Sequence, residues 1–162
     1  MAQRLGSTVS VSSAGTHALV GHPISEPMAR LLRGTGADDG AFAARRLTET
    51  LVKEADLVLA LTRAHRSLVV DLWPPAVRTT FTVREFARLM HGVNPSALPD
   101  GTPAERLLAA LPLAAAERGL HHAFPQEDDV VDPFGLGDDI YAASFAEISA
   151  AVKVIATALV PR

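Results

Sequence analysis

The sequence predicts an α/β fold, a parallel sheet with helices on both faces. Three observations point to it. Stretches with strand character alternate along the chain with stretches of helical spacing, which is the order that parallel βαβ units produce. Asp56-Leu-Val-Leu-Ala-Leu61 is almost continuously apolar, as suits a strand buried on both faces of a parallel sheet. The last helical stretch, about Asp139 to Leu159, places Phe145, Ile148, Val152, Ile155 and Leu159 on one stripe. No internal repeat or linker divides the chain, so residues 1–162 read as a single domain.

Taken in order, Thr8-Val-Ser-Val-Ser12 alternates apolar and polar residues and reads as a short strand. It runs into a bend at Ser13-Ala-Gly-Thr16 and a loop from His17 to Pro23. Ser25 to Arg33 is a short helix, with Ser25 as cap, Pro27 in the first turn and Gly34 and Gly36 as stops. Leu47 to Ala55 is a second short helix that Thr48 can cap, and the strand Asp56–Leu61 follows. Thr62 caps a helix in which Ala64, Leu68, Val69 and Leu72 share a face, and Pro74-Pro75 ends it. Arg78 to Val83 alternates again as a third strand, then Arg84 to Met90 is helical up to Gly92. Thr102-Pro-Ala-Glu105 is a capping box that opens a helix carrying Leu107, Leu108 and Leu111, with Pro112 expected to interrupt it. His121 to Asp129 is a polar loop.

Composition narrows the function classes. The net charge is −3 and no basic run exceeds Arg45-Arg46, so nucleic acid is not an expected partner. No uninterrupted apolar run approaches the roughly 18 residues of a membrane span, and Met-Ala-Gln-Arg-Leu-Gly lacks the apolar segment of a secretory signal. A cytoplasmic location, with no membrane partner, is the default expectation. The chain has no cysteine, which excludes disulfides, thiolate metal sites and thiol catalysis by this chain acting alone.

The stretch that carries chemistry is Asp129-Val-Val-Asp-Pro-Phe-Gly135. Pro133 forces Asp132 out of helical geometry and holds its carboxyl on a turn between two helical patterns. A carboxyl held in this way is a candidate general acid. On its own the dipeptide is equally an ordinary Asp-Pro turn.

Three further stretches give this turn a context. Val11-Ser-Ser-Ala-Gly-Thr16, Ala44-Arg-Arg-Leu-Thr48, and Ala55-Asp-Leu-Val-Leu59 followed by His65 precede the Asp-Pro-Phe loop in that order, and one long terminal helix follows it. This ordered set resembles the low-molecular-weight protein-tyrosine phosphatase family over most of residues 7 to 160. The stretch from about Leu89 to Glu127 is longer than the family's usual connection. The resemblance implies that Asp132 is the general acid delivering a proton to the leaving tyrosine oxygen. It further implies that Phe134 and Leu19 line the mouth that admits the phenyl ring, that Ser13 braces a phosphate-binding loop, and that Arg45 is a structural arginine. Phe42 stands where the family often has His, and Leu61-Thr62 replaces its common Met-Asp pair. A phosphotyrosine protein is the substrate implied. Bacterial members often serve tyrosine kinases of capsule and exopolysaccharide production.

The family opens with a central strand and a Cys-x5-Arg-Ser loop that cradles phosphate, its Cys the nucleophile and its Arg the clamp. The sequence shows neither residue in that arrangement. The resemblance therefore implies an N-terminally incomplete phosphatase-like domain without the first, central strand, which would lie between Thr8–Ser12 and Asp56–Leu61. Losing four or five buried aliphatic side chains costs on the order of 10 kcal/mol, comparable with a whole domain's stability. Three outcomes are expected as alternatives: the flanking strands pair with each other, a strand is borrowed from a partner or a second copy through the exposed strand edge, or the missing strand is encoded upstream of this sequence's start. Two readings stand side by side. One is a phosphatase body separated from its nucleophile and inactive as given. The other is a non-catalytic, partner-binding pseudophosphatase.

Other candidates carry less. The adjacent His121-His122 point apart, and no His-x-x-x-His helix occurs, so no metal site is expected. Asp128, Asp129, Asp132, Asp138 and Asp139 lack the spacing of a calcium loop and read as a solvated loop with helix capping. Gly135-Leu-Gly137 is too short for a nucleotide fingerprint, so no cofactor is expected. Ser12 and Ser13 with a histidine would form a hydrolase pair only beside a Gly-x-Ser-x-Gly elbow, which the sequence does not contain. His65 reads as a fold-supporting residue, and Arg30, Arg33, Arg45 and Arg46 as solvated helix faces as readily as an anion patch.

Overall fold

The computed structural model describes residues 8–37, 40, 42–119 and 125–160. Six helices surround a small parallel sheet among these residues: α1 Glu26–Arg33, α2 Glu49–Glu54, α3 Arg63–Leu72, α4 Val83–Met90, α5 Pro103–Glu117 and α6 Asp138–Leu159. The sheet pairs β1 (Val58–Ala60) with β2 (Thr80–Thr82), in the register Val58 to Thr80, Leu59 to Phe81 and Ala60 to Thr82. Both strands are shorter than the sequence pattern suggests, because Thr82 turns directly into the cap of α4.

Helices cover both faces of this sheet. On one face Leu57, Leu59 and Phe81 join the main core with Phe86, Leu89, Ile155 and Leu159. On the other, Val58 packs with Val52, Val69, Ala76 and Trp73. The alternation of Leu57, Val58 and Leu59 between two clusters is the two-residue period of a strand. The centre is aromatic: the Phe81 and Phe86 rings lie 4.9 Å apart and tilted by 54°. Arg118, just past α5, stacks 4.0 Å over Phe81 while its guanidinium donates to Glu85 Oε1 at 2.8 Å and to the Thr80 carbonyl at 2.8 Å. Arg66 donates to the same carbonyl at 3.0 Å. Burial, and then the neighbouring Arg118 charge, hold the Arg66 pKa below the ordinary arginine value, with Glu85 opposing.

Four expectations need correction. Thr8–Ser12 is not a strand: Val9 packs against the core, Val11 stays 54% exposed, and no β partner lies beside the segment among the described residues. Pairing begins only at Gly15, which bridges Arg46 through Gly15 N–H to Arg45 O and Leu47 N–H to Gly15 O, both 2.9 Å. The flanking segments therefore do not close up against each other. Pro112 does not interrupt α5, which runs through it. Proline deletes one hydrogen bond there, and the burial of Leu107, Ala110, Leu111 and Ala114 on both sides of it holds the helix together. On α3 only Val69 of the expected face is buried; Ala64 is exposed, and Leu68 and Leu72 are 40% and 41% exposed. The expected stripe on α6 does face the core: Ile155 and Leu159 are buried and Ile148 and Val152 pack against them, Tyr141, Ser144 and Ala151 widen it, and Phe145 is half-buried. His121 to Phe124 fall outside the described residues, and Pro125–Asp128 form a single 3-10 turn.

With a mean hydropathy of 1.5, α6 has the length and composition to cross a bilayer, although its sequence is not an uninterrupted apolar run. In this fold its apolar stripe faces α4 and the core.

Three of the four expected caps are used: Thr48, Thr62 and Thr102 each accept an amide of their helix's first turn, and Thr102 with Glu105 is a complete capping box, whereas Ser25 makes no side-chain cap to α1. Thr82 with Glu85 forms a second capping box, at the start of α4, that the sequence pattern was not read to contain. The Thr102 amide, then the Thr102 hydroxyl, hold the Glu105 carboxyl below its ordinary value of 4.5. A carboxyl depressed in the folded state stabilises above its unfolded value and loses that contribution as pH falls through the folded one. Glu105→Gln is therefore expected to flatten the acid limb of the stability–pH curve below about 4.5, as read by urea midpoints. Phe86→Ala, at 0% exposure, is expected to cost about 3–5 kcal/mol, whereas Val11→Ala should stay within about 0.5 kcal/mol.

Candidate acid site and its cleft

Asp132 sits on the loop between α5 and α6, and that loop is tied down along its length. The Val130 amide donates to the Leu61 carbonyl at 2.9 Å, at the end of β1. One residue on, Ser144 of α6, 2% exposed, donates its hydroxyl to the Val131 carbonyl at 2.7 Å. Arg88 of α4 forks onto Asp128, with Nη2 at 3.2 and 3.0 Å from the two carboxylate oxygens and Nε at 3.3 Å. Asp129 Oδ1 accepts the Arg63 amide at 2.7 Å and so caps α3, while Arg84 Nη1 reaches the Asp129 carbonyl at 3.3 Å. Arg84 is also 2.9 Å from Glu147 Oε2, an ion pair too poorly aligned to be a hydrogen bond. Asp128, at 13% side-chain exposure, is therefore not the solvated residue that its acidic surroundings suggest.

The loop then turns sharply. Asp132 Oδ1 accepts the Phe134 amide at 3.0 Å, and Gly135 takes φ +76°, a value L side chains rarely adopt. The effect is to present Asp132 exposed at the rim of a cleft of about 150 Å³. Met28 of α1, Leu61, His65 of α3, Val130 and Ile148 of α6 line the same cleft.

The site residues expected from the sequence separate into two groups. Asp132 lines the cleft, and so does His65. Ser13, Leu19 and Phe134 are not among its lining residues. Phe134 and Leu19 are exposed at 69% and 55%. Ser13 is exposed, and its carbonyl accepts from Arg45 Nε at 2.7 Å, which ties the Ser13 bend to the Ala44–Thr48 stretch. Sequence reasoning missed Ser144, Arg88 and Val130. A serine inside an apolar helical stripe was the one available signal, because a buried hydroxyl needs a partner.

Two substitutions test this bracing. Ser144→Ala is expected to cost about 1 kcal/mol in urea denaturation and to speed protease cleavage between Asp128 and Gly135. Arg88→Met, which strands a largely buried carboxylate, should do both more strongly. An unchanged cleavage rate in both variants would contradict the bracing.

The fold and sequence have clear relatives. A family model described as low molecular weight phosphotyrosine protein phosphatase matches residues 1–98. The Escherichia coli K12 low molecular weight protein-tyrosine-phosphatase Etp is 35% identical over 66 residues, covering 41% of this chain and 45% of that protein. A Klebsiella pneumoniae protein with the same description, there called putative, is 31% identical over 74 residues, 46% of this chain and 51% of its own. The chain thus spans about half the length of the curated relatives it matches. Among solved structures, the YwlE arginine phosphatase of Geobacillus stearothermophilus superposes with TM-score 0.66 at 24% identity, covering 96% of this chain and 77% of that one. The low molecular weight protein tyrosine phosphatase of T. tengcongensis does so with TM-score 0.58 at 26% identity, covering 88% and 73%. With more than half of its length matched by the family model, this chain belongs to the low-molecular-weight phosphotyrosine protein phosphatase family.

Proposed function

We propose that this chain is the acid-bearing body of a phosphotyrosine phosphatase fold and that, as it stands, it does not hydrolyse phosphomonoesters. In the family reaction a thiolate attacks phosphorus in line, the P–O bond to tyrosine breaks, and a cysteinyl phosphate forms. An acid protonates the departing phenolate and, as its conjugate base, then takes a proton from the water that cleaves the P–S bond. Asp132 suits the acid role: it is exposed at a cleft and held on a braced loop. The observation that carries the reading is that none of the 162 residues is a cysteine, so the first step has no thiolate. Among the described residues, moreover, the cleft lining includes no lysine or arginine to clamp a phosphoryl group. General acid catalysis supplies about 10²- to 10⁴-fold, against accelerations of up to ~10²¹ for the slowest phosphomonoesters.

One observation favours a second reading, a non-catalytic, partner-binding module. The Val58 amide is directed to Thr79 on the β2 side. Alternation then turns the backbone groups of Leu57 and Leu59 to the opposite edge, where no strand pairs with them among the described residues. Such an edge can take a strand from a second copy of this chain.

Two measurements test these readings. Purified chain is expected to release no phenol from an aryl phosphate above the buffer rate, and turnover abolished by Asp132→Ala would overturn the inactive assignment. Light scattering over a concentration series reads the second: growth in mass supports strand pairing between copies, and a constant monomer mass contradicts it.

A further inference from the structure

The cleft below the Asp132 loop has the opposite chemistry from a phosphate pocket. Its walls are mainly aliphatic, from Met28, Leu61, Val130 and Ile148, and its volume of about 150 Å³ matches an apolar cavity that holds one benzene ring. A methionine thioether on the wall adds a favourable contact for an aromatic ring. The polar groups on the lining are few. The Ser144 hydroxyl is committed to the Val131 carbonyl at 2.7 Å, which leaves His65 and the Asp132 carboxylate. Of that carboxylate, Oδ1 holds the Phe134 amide and Oδ2 has no hydrogen-bond partner among the described residues. The cations nearest along the loop are directed elsewhere, Arg63 and Arg84 to Asp129 and Arg88 to Asp128.

We propose that this cleft binds a small aromatic ring bearing an ammonium head, an arylalkylamine. The ring lies among Met28, Leu61 and Ile148, and the ammonium donates to Asp132 Oδ2. A phosphate dianion beside the same carboxylate is repelled, with no guanidinium on the lining to offset it. Ring burial supplies most of the affinity, because the ion pair is exposed and screened. For a ligand this small the dissociation constant is on the order of 1 mM.

The proposal is independent of the hydrolysis reading, since it concerns binding by a cleft already present. The test titrates benzylamine, benzyl alcohol and phenyl phosphate separately into methyl-labelled protein and follows the Met28, Leu61 and Ile148 methyl signals. Benzylamine is expected to shift them with a millimolar constant, benzyl alcohol roughly threefold more weakly, and phenyl phosphate at least about tenfold more weakly. Asp132→Asn should remove the advantage of benzylamine over benzyl alcohol while leaving the alcohol unchanged, and Ile148→Trp should abolish both by filling the cleft. If Ile148→Trp fails to fold, the Asp132→Asn comparison decides alone. Phenyl phosphate binding as tightly as benzylamine, or none of these methyls moving with benzylamine, overturns the proposal. A phosphatase assay cannot produce either result, so its outcome is read separately.

Discussion

The hydrogen bond from the Val130 amide to the Leu61 carbonyl, 2.9 Å long, joins the two halves of the candidate site. It fastens a loop to the end of a strand that lies almost seventy residues earlier in the chain. Leu61 is where β1 ends and the cap of α3 begins, so the tie places the loop at the carboxyl end of the parallel sheet, where α/β folds place their chemistry. The other braces depend on that placement. Only with the loop seated there can Asp129 cap α3, Arg88 reach Asp128 and Ser144 meet the Val131 carbonyl. A hydrogen bond of this kind is worth about 1 kcal/mol alone, and its larger effect is to set the register for the three contacts around it.

Local signals in the sequence were legible because they depend on neighbours. The caps at Thr48, Thr62 and Thr102, the Thr102–Glu105 capping box and the turn chemistry of Asp132-Pro133 follow from residues a few positions apart. The β1 stretch was legible as an apolar run and the β2 stretch as an alternating one, although their ends were not. What stayed hidden depends on distant partners. Thr8–Ser12 has a strand's alternation but no described neighbour to complete a ladder, and alternation alone forms no hydrogen bonds. Leu68 and Leu72 have helical spacing, yet α3 buries Val69 against Val52 and Trp73 and leaves that row outside. Pro112 looked like a stop because a sequence cannot show how much side-chain burial stands against one lost hydrogen bond.

The candidate site divides in the same way. Asp132 could be found from its proline and from its order among the other stretches. Arg88 and Arg84 could not, because each acts across the fold on a backbone or carboxylate group of another element, and Ser144 left only the hint of a hydroxyl within an apolar stripe. The acidic run Asp128–Asp129 looked like solvent-exposed charge and is in fact a pair of structural anchors with separate cations. The chemistry of the cleft follows from what those cations do. With the neighbouring arginines engaged in holding the loop, the lining keeps the Asp132 carboxylate, His65 and an apolar floor, and among the described residues it has no arginine or lysine to hold a phosphoryl group.

Amide hydrogen exchange at Val130 tests the central claim most directly, that the acid loop is fixed to the strand end and not merely adjacent to it. Protection within about tenfold of the buried α4 amides of Phe86 and Leu89 is the result expected of an anchored loop. Exchange of the Val130 amide at the rate of a free surface loop, with α4 still protected, would contradict the account.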